Sequence, residues 1–241
     1  MYRLFLLILL ITISGNDIFA QTPVNIDFDR IKREVPDLDE IRRETYDRSS
    51  PYYYPRLMKE FQSNDTVMKL EKYRRLYLGY MFQEDYNPYR ESRLKERAKP
   101  VTGDYTKLTS QECDSIIKYA GLILRDNPFD LTQMESLISA LKVRGHINLA
   151  SIWQYKFNYI LMAIVSTGTG VDEENAWYVT ETEHEYVLLN KMGCTIIDHT
   201  YHEPYFEYLK VRTPQGFGGV YFNLEGLLSE YFRKFPDETD S

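Results

Sequence analysis

The chain is short of several residue types, and each shortage excludes a class of protein. It has two cysteines in 241 residues, Cys113 and Cys194. Neither belongs to a CxxC pair, so disulfide frameworks, structural zinc sites and thiol redox chemistry lose their usual signature. Histidine occurs four times, and neither HExxH nor HxxEH is present. Positive charge is in deficit, with 29 Lys and Arg against 36 Asp and Glu and a net charge of −7. That balance argues against a nucleic-acid backbone as partner. After the first 13 residues no apolar run approaches the ~20 residues that cross a bilayer, so no stable membrane insertion is expected. Collagen, coiled-coil and wholly disordered compositions are excluded by 43% hydrophobic residues and by 21 tyrosines, 12 phenylalanines and two tryptophans.

The start of the chain has the three regions of an export signal. Arg3 supplies the positive front, Leu4 to Ile13 the apolar core, and Ser14-Gly15-Asn16 breaks the run. Ala20 is the small residue before the expected cleavage, which leaves Gln21 as the mature N-terminus. The expected location is therefore periplasmic or secreted, an oxidising compartment. A Cys113–Cys194 bridge there would need Cα atoms within ~7 Å. Cys113 falls on an apolar helical stripe and reads as a buried small hydrophobe.

Periodicity and punctuation give an α+β architecture. Residues 27–34 could open a helix that Pro36 ends, and Pro55 could start a short helix running to Phe61. Leu70, Tyr73, Tyr77, Tyr80 and Met81 have helical spacing, with Lys72, Arg74 and Arg75 on the opposite face. Residues 89–99 read as a solvated charged face, and 98–108 as a surface loop. Thr109-Ser110-Gln111-Glu112 is a capping box for a helix with Cys113, Ile116, Ile117, Ala120 and Leu124 inward. Asp130 caps the next helix, and Gly145 closes it. A third helix runs from Ile147 to about Val165, with Leu149, Ile152, Trp153, Phe157, Ile160 and Ile164 inward.

The pattern then changes. A strand is expected over 176–180. A second capping box at Thr182–Glu185 should precede a helix over 186–192. Further strands are expected over 195–201, 205–211 and 220–222, with 215–219 as a hairpin turn and Asn223 capping a last helix that Pro236 ends. The organisation is a signal over 1–20 and one α+β unit over 21–235. That unit is helical over 27–166 and β-rich over 176–235, with a small, mainly antiparallel sheet, and 236–241 is a flexible tail.

Two resemblances follow from particular residues. Pro128, Met134, Leu137, Ile138, Leu141, Gly145 and Ala150 resemble one tetratricopeptide-like helical hairpin, although Gln154 and Phe157 depart from its pattern. The run Tyr52-Tyr53-Tyr54-Pro55-Arg56-Leu57, the segments Asp65-Thr66 and Tyr73 to Gln83, Pro88-Tyr89, Asn127-Pro128 and Val220-Tyr221-Phe222-Asn223 carry the second. In these the chain resembles domain-of-unknown-function family 4919, exported proteins found mainly in Bacteroidetes, over about residues 27–235. That resemblance implies a fold and a location and brings no activity or catalytic residue.

The candidate sites are few. Tyr52, Tyr53 and Tyr54, in a loop, are the candidate binding residues, because a tyrosine ring offers flat apolar area with a polar tip. His199 and His202 have odd spacing on a strand and point to opposite faces, so no metal site is expected. His184, near a helix start, reads as a surface residue. Thr167-Gly168-Thr169-Gly170 lacks the Lys-Ser or Lys-Thr of a phosphate cradle, and no cofactor motif occurs. The function expected is a non-enzymatic protein-interaction module of the cell envelope, its partner another envelope protein, with a glycan or peptide as further possibilities. The alternative is a hydrolase or carbohydrate-binding protein whose carboxylates the sequence does not pair. A pocket with two carboxylates of shifted pKa favours the alternative. A broad groove of Tyr and Arg favours the module.

Overall fold

The computed structural model describes residues 31–64, 66–90, 92–98, 105–214 and 216–236. The segment expected to be an export signal, with Ala20 and Gln21 at its expected cleavage point, and the expected tail beyond Pro236 lie outside the described residues. The architecture is α+β and mainly helical, with a four-stranded mixed sheet near the C-terminus.

Among the described residues the first helix lies after Pro36, and residues 27–30 of the expected earlier helix lie outside them. Residues 31–37 are non-helical, and α1 spans Leu38–Tyr46. Asp37 decides this, because its carboxylate accepts the Glu40 amide and Asp39 and Glu40 add acidic charge to the first turn. Helix α2 spans Tyr54–Gln62 with Pro55 in its first turn. Helix α3 spans Leu70–Gly79 and tightens into a 3-10 turn over Tyr80–Phe82. Its tyrosines point inward as expected, but Arg74 does not stay in solvent. It is buried and donates to the carbonyl oxygens of Glu34 and Ser166. The segment 92–98 holds only the short helix α4, Lys95–Ala98, and Tyr105–Lys107 form a 3-10 turn.

The Thr109–Glu112 capping box forms and opens α5, Ser110–Asp126. Asp130 accepts the Gln133 amide and opens α6, Leu131–Val143. Gly145 takes φ +75° and closes it. Helix α7 spans Ile147–Val165 and buries Phe157, Ile160 and Ile164. Ile152 and Trp153 are only half-buried, and Leu149, in its first turn, is exposed. Helices α5, α6 and α7 pack in succession, and α3 packs on α7. Cys113 is buried, Cys194 is half-buried, and both are free thiols.

Strand β1, Trp177–Tyr178, pairs parallel with β4, Gly216–Asn223, which pairs antiparallel with β3, Phe206–Thr213. Strand β2, Thr195–His202, pairs antiparallel with β3 and forms the far edge. The glycines at 216, 218 and 219 thus belong to a strand, not to the turn that the sequence suggested. Between β1 and β2 lies α8, Glu183–Lys191, and α9 spans Glu225–Lys234. Asn223 accepts the Glu225 amide at the start of α9. Thr182 makes no capping bond, since its backbone is already helical (φ −65°, ψ −28°). The second capping box is therefore absent, and α8 begins earlier than expected.

Alternation along β3 separates two faces. Leu209 and Val211 are buried with Phe222 on the inner face, while Lys210 and Arg212 are exposed. The sheet's buried side joins the same hydrophobic cluster as the helices. The loop after α7 seals the β1–β4 edge: the Tyr221 amide donates to the Gly170 carbonyl, and the Trp177 indole N–H donates to that of Gly168. This loop is thereby tied to the sheet.

Candidate functional site

The carboxyl end of β1 leads directly into the residues that form the candidate site. Two tyrosines hold the Thr180 peptide from both sides. The Tyr77 hydroxyl accepts the Thr180 amide at 3.0 Å, and the Tyr86 hydroxyl donates to the Thr180 carbonyl at 2.7 Å. Both rings are buried, and burial raises both phenol pKa values, so they act as neutral hydroxyls. The Tyr77 hydroxyl also lies 2.8 Å from Nδ1 of His184, whose Nε2 lies 2.9 Å from the Phe129 carbonyl oxygen. A carbonyl can only accept, so Nε2 carries the proton and Nδ1 accepts from Tyr77. His184 is 1% exposed, and burial lowers its pKa to about 3. It is a neutral core residue and not the surface residue that its place near a helix start suggests. The Tyr77 ring lies tilted against it, and Tyr77 and Tyr80 both meet Phe129 edge to face.

This framework fixes Glu181. Its backbone carbonyl accepts the His184 amide, and its Oε1 accepts from Nδ2 of Asn127 at 2.8 Å. Oε2 lies 3.7 Å from Nε2 of His184, which is no ion pair because that imidazole is neutral. Glu181 is 6% exposed, and burial raises its pKa to about 8. The nearby carboxylates of Asp130 and Glu183 push in the same direction, whereas Asn127 opposes them. At neutral pH Glu181 is mainly a carboxylic acid that can donate a proton.

Glu181 lies in the wall of a cleft of about 510 Å³, within the ~300–1,000 Å³ range of small-molecule sites. The cleft runs between the 88–95 segment and the facing ends of α5, α6 and α8. The segment contributes Tyr89, Arg90, Arg93 and Lys95. The helices contribute Asp126, Asn127 and Asp130, with Ile123 the apolar exception. Asp130 is half-buried, and burial raises its pKa despite the amide bond from Gln133. Lys95 reaches Glu183 at 3.1 Å across the rim. Tyr89 is 49% exposed and meets Tyr231 edge to face. The arrangement offers a neutral acid, an amide, carboxylates and guanidinium groups to one small volume.

The tyrosines named from the sequence lie elsewhere. Tyr54 is buried, while Tyr52 and Tyr53 are half-buried. The Arg75 guanidinium lies 5.2 Å from the Tyr52 ring centre. The three rings do not form one exposed surface, because helix α2 turns Tyr54 into the core. His199 and His202 lie on opposite faces of β2. His199 Nε2 is 3.5 Å from Glu207, and His202 Nδ1 is 3.1 Å from Glu173. Glu181 was not singled out in the sequence, and Tyr89 and Asn127 entered only through the family resemblance, not as site candidates. One signal could have found Glu181: it stands just past a strand and just before a helix, and ligands in sheets with parallel pairs gather beyond strand carboxyl ends.

A family model for a domain of unknown function (DUF4919) matches residues 39–233. The chain belongs to this family. The match runs from the start of α1 into α9 and so includes every residue of the cleft. No curated protein and no solved structure gives a match. The DUF4919 assignment supplies no reaction and no ligand, so the chemistry of this member rests on its own side chains.

Proposed function

We propose that this DUF4919 protein is an exported envelope protein that binds an uncharged, hydroxyl-rich ligand of the carbohydrate class in the Glu181 cleft. The observation that carries the proposal is Glu181 itself. A buried carboxyl costs stability, and the opposing charge of Lys95 influences Glu181 less than burial does. Here two tyrosines, a histidine and an asparagine hold it in place. A neutral acid in a polar cleft donates to hydroxyl and ether oxygens, Asn127 and Asp130 offer further polar contacts, and Tyr89 offers a ring face. The export signal over residues 1–20 supports an envelope location, where such ligands are available. We read residues 21–235 as one unit and α6–α7 as its tetratricopeptide-like hairpin, as in a Bacteroidetes member of the family.

Isothermal titration with a panel of neutral oligosaccharides tests this. Binding is expected in the wild type, with at least a tenfold loss in Glu181→Ala and in Tyr89→Ala. Absence of binding across the panel, or binding indifferent to both substitutions, overturns the proposal. Hydrolysis is distinguished in the same samples. If Asp130 works as a base opposite the Glu181 acid, reducing ends accumulate with the wild type, and Glu181→Gln binds without turnover.

A second reading, docking of another envelope protein, draws on β2. This strand is the sheet edge, and Ile197 and Tyr201 are 42% and 47% exposed along it. Co-purification with the tagged chain from envelope extracts should then yield a stoichiometric partner that Ile197→Lys releases. An unchanged partner in Ile197→Lys would remove β2 from consideration.

A further inference from the structure

Along β3 the inward positions are 207, 209 and 211, and the first of them is not apolar. Glu207 pairs across the sheet with fully buried Phe222, and its side chain is 14% exposed. Helix α8 brings Glu185 to the same place, and Glu185 is fully buried. The two carboxyls are within hydrogen-bond reach of each other. Both oxygens of Glu185 and Oε2 of Glu207 have no other hydrogen-bond partner among the described residues. Among the described residues no Lys or Arg forms an ion pair with either. Two ionised carboxylates cannot occupy such a site, whereas one proton between them gives a strong hydrogen bond.

We propose that Glu185 and Glu207 share one proton and that this proton is a pH-sensitive clamp holding α8 against the sheet. When the proton leaves, the carboxylates repel and α8 loosens, together with the 180–183 segment that leads into it. Burial and the Glu207 charge both keep Glu185 protonated. The other titratable groups around the pair are these. His199 on β2 approaches Oε1 of Glu207 at 3.5 Å and, when charged, favours the ionised form. Tyr186 on α8, Tyr201 on β2 and Tyr89 all feel the Glu207 charge. Glu181 and His184 stand at the start of the same helix, and Lys191, at its end, is paired with Glu135 of α6. The clamp itself is independent of the cleft's ligand. Its influence on binding rests on the Glu181 reading.

Hydrogen–deuterium exchange of the intact chain between pH 6.5 and 8 tests the clamp, read on peptides covering 183–191 and corrected for intrinsic exchange. Opening that releases a proton grows tenfold per pH unit for each proton released. Protection of α8 is expected to fall at least tenfold per pH unit in the wild type, and Glu185→Gln should reduce that slope by one factor of ten per unit. The infrared band of protonated carboxyl groups at pH 7 should shrink by one group in the same variant. A pH-independent α8 in the wild type overturns the proposal without any variant. So does a slope that Glu185→Gln leaves unchanged. Saccharide binding can fail while the clamp holds, so the two outcomes are separable.

Discussion

The Tyr86 hydroxyl donates to the carbonyl oxygen of Thr180, 94 residues further along the chain, at 2.7 Å inside the core. With Tyr77 on the Thr180 amide, it fixes a single peptide on which the position of Glu181 depends. Tyr86→Phe would leave that carbonyl buried and unsatisfied, a loss of about 1–3 kcal/mol. Tyr77→Phe removes two bonds, to the Thr180 amide and to Nδ1 of His184, and should cost more. Urea unfolding of the two variants checks both the size and the order.

Stability should have two pH limbs. Glu181 has a folded pKa raised from 4.5 to about 8. Its contribution is complete below pH 4.5 and is lost as pH rises towards 8. His184 has a folded pKa lowered from 6.5 to about 3. Its contribution is complete above pH 6.5 and is lost as pH falls towards 3. Above pH 6.5 the Glu181 limb stands without the opposing one, with a slope approaching ~1.4 kcal/mol per pH unit. Denaturant midpoints from pH 4 to 9 should show it, and Glu181→Gln should lower the alkaline slope by up to ~1.4 kcal/mol per pH unit, leaving the share that Glu185 contributes. An unchanged alkaline limb would place the titration elsewhere.

Gly168 is held in a close backbone approach. A Cβ there would lie 2.2 Å from the carbonyl oxygen of Asn175 and 2.8 Å from that of Ala176. Backbone cannot swing aside as a side chain can. Gly168→Ala should therefore destabilise the protein by about 1–3 kcal/mol and disturb the Trp177 indole that bonds to the Gly168 carbonyl. Tryptophan fluorescence and thermal melting together would show this. Gly121, with open space around its Cβ position, is the control and should accept alanine without loss.

Asn64 takes φ +61°, and its side-chain oxygen accepts the Lys156 ammonium at 2.7 Å. That ammonium is 4.5 Å from the ring centres of both Phe61 and Trp153, and burial lowers its pKa to about 8. Asn64→Gly would relieve the left-handed backbone but leave a buried amine without that partner. The hydrogen bond to a charged group is the larger effect, about 1.5–3 kcal/mol, so the glycine variant should be less stable. A more stable Asn64→Gly variant would show that backbone relief dominates.

Much of the fold was legible because local rules agreed with the packing. The Thr109 box, the Asp130 cap, the Gly145 closure and the tyrosine stripe of α3 each depend on neighbours within one or two turns. The misses have a common cause, which is tertiary partners. Arg74 reads as solvent-facing until the carbonyls of Glu34 and Ser166 arrive beside it. His184 reads as surface until Tyr77 and Phe129 enclose it. Gly216 to Gly219 read as a turn because glycine is weak in strands, but β3 supplies eight paired positions along β4. The cleft was illegible for the same reason. Its polar residues come from the 88–95 segment, the α5–α6 junction and the start of α8, and no local spacing links them.

The parallel pairing of β1 with β4 has a consequence for the order of folding during synthesis. Among the described residues, the strand partners of Trp177 and Tyr178 are made 45 residues later, at Phe222 and Asn223. Helix α9, later still, seats against the Tyr80–Phe82 turn, where the Lys234 amine reaches the Met81 and Gln83 carbonyls. A growing chain therefore cannot complete its sheet until β4 has left the ribosome, or cover that turn until α9 has followed.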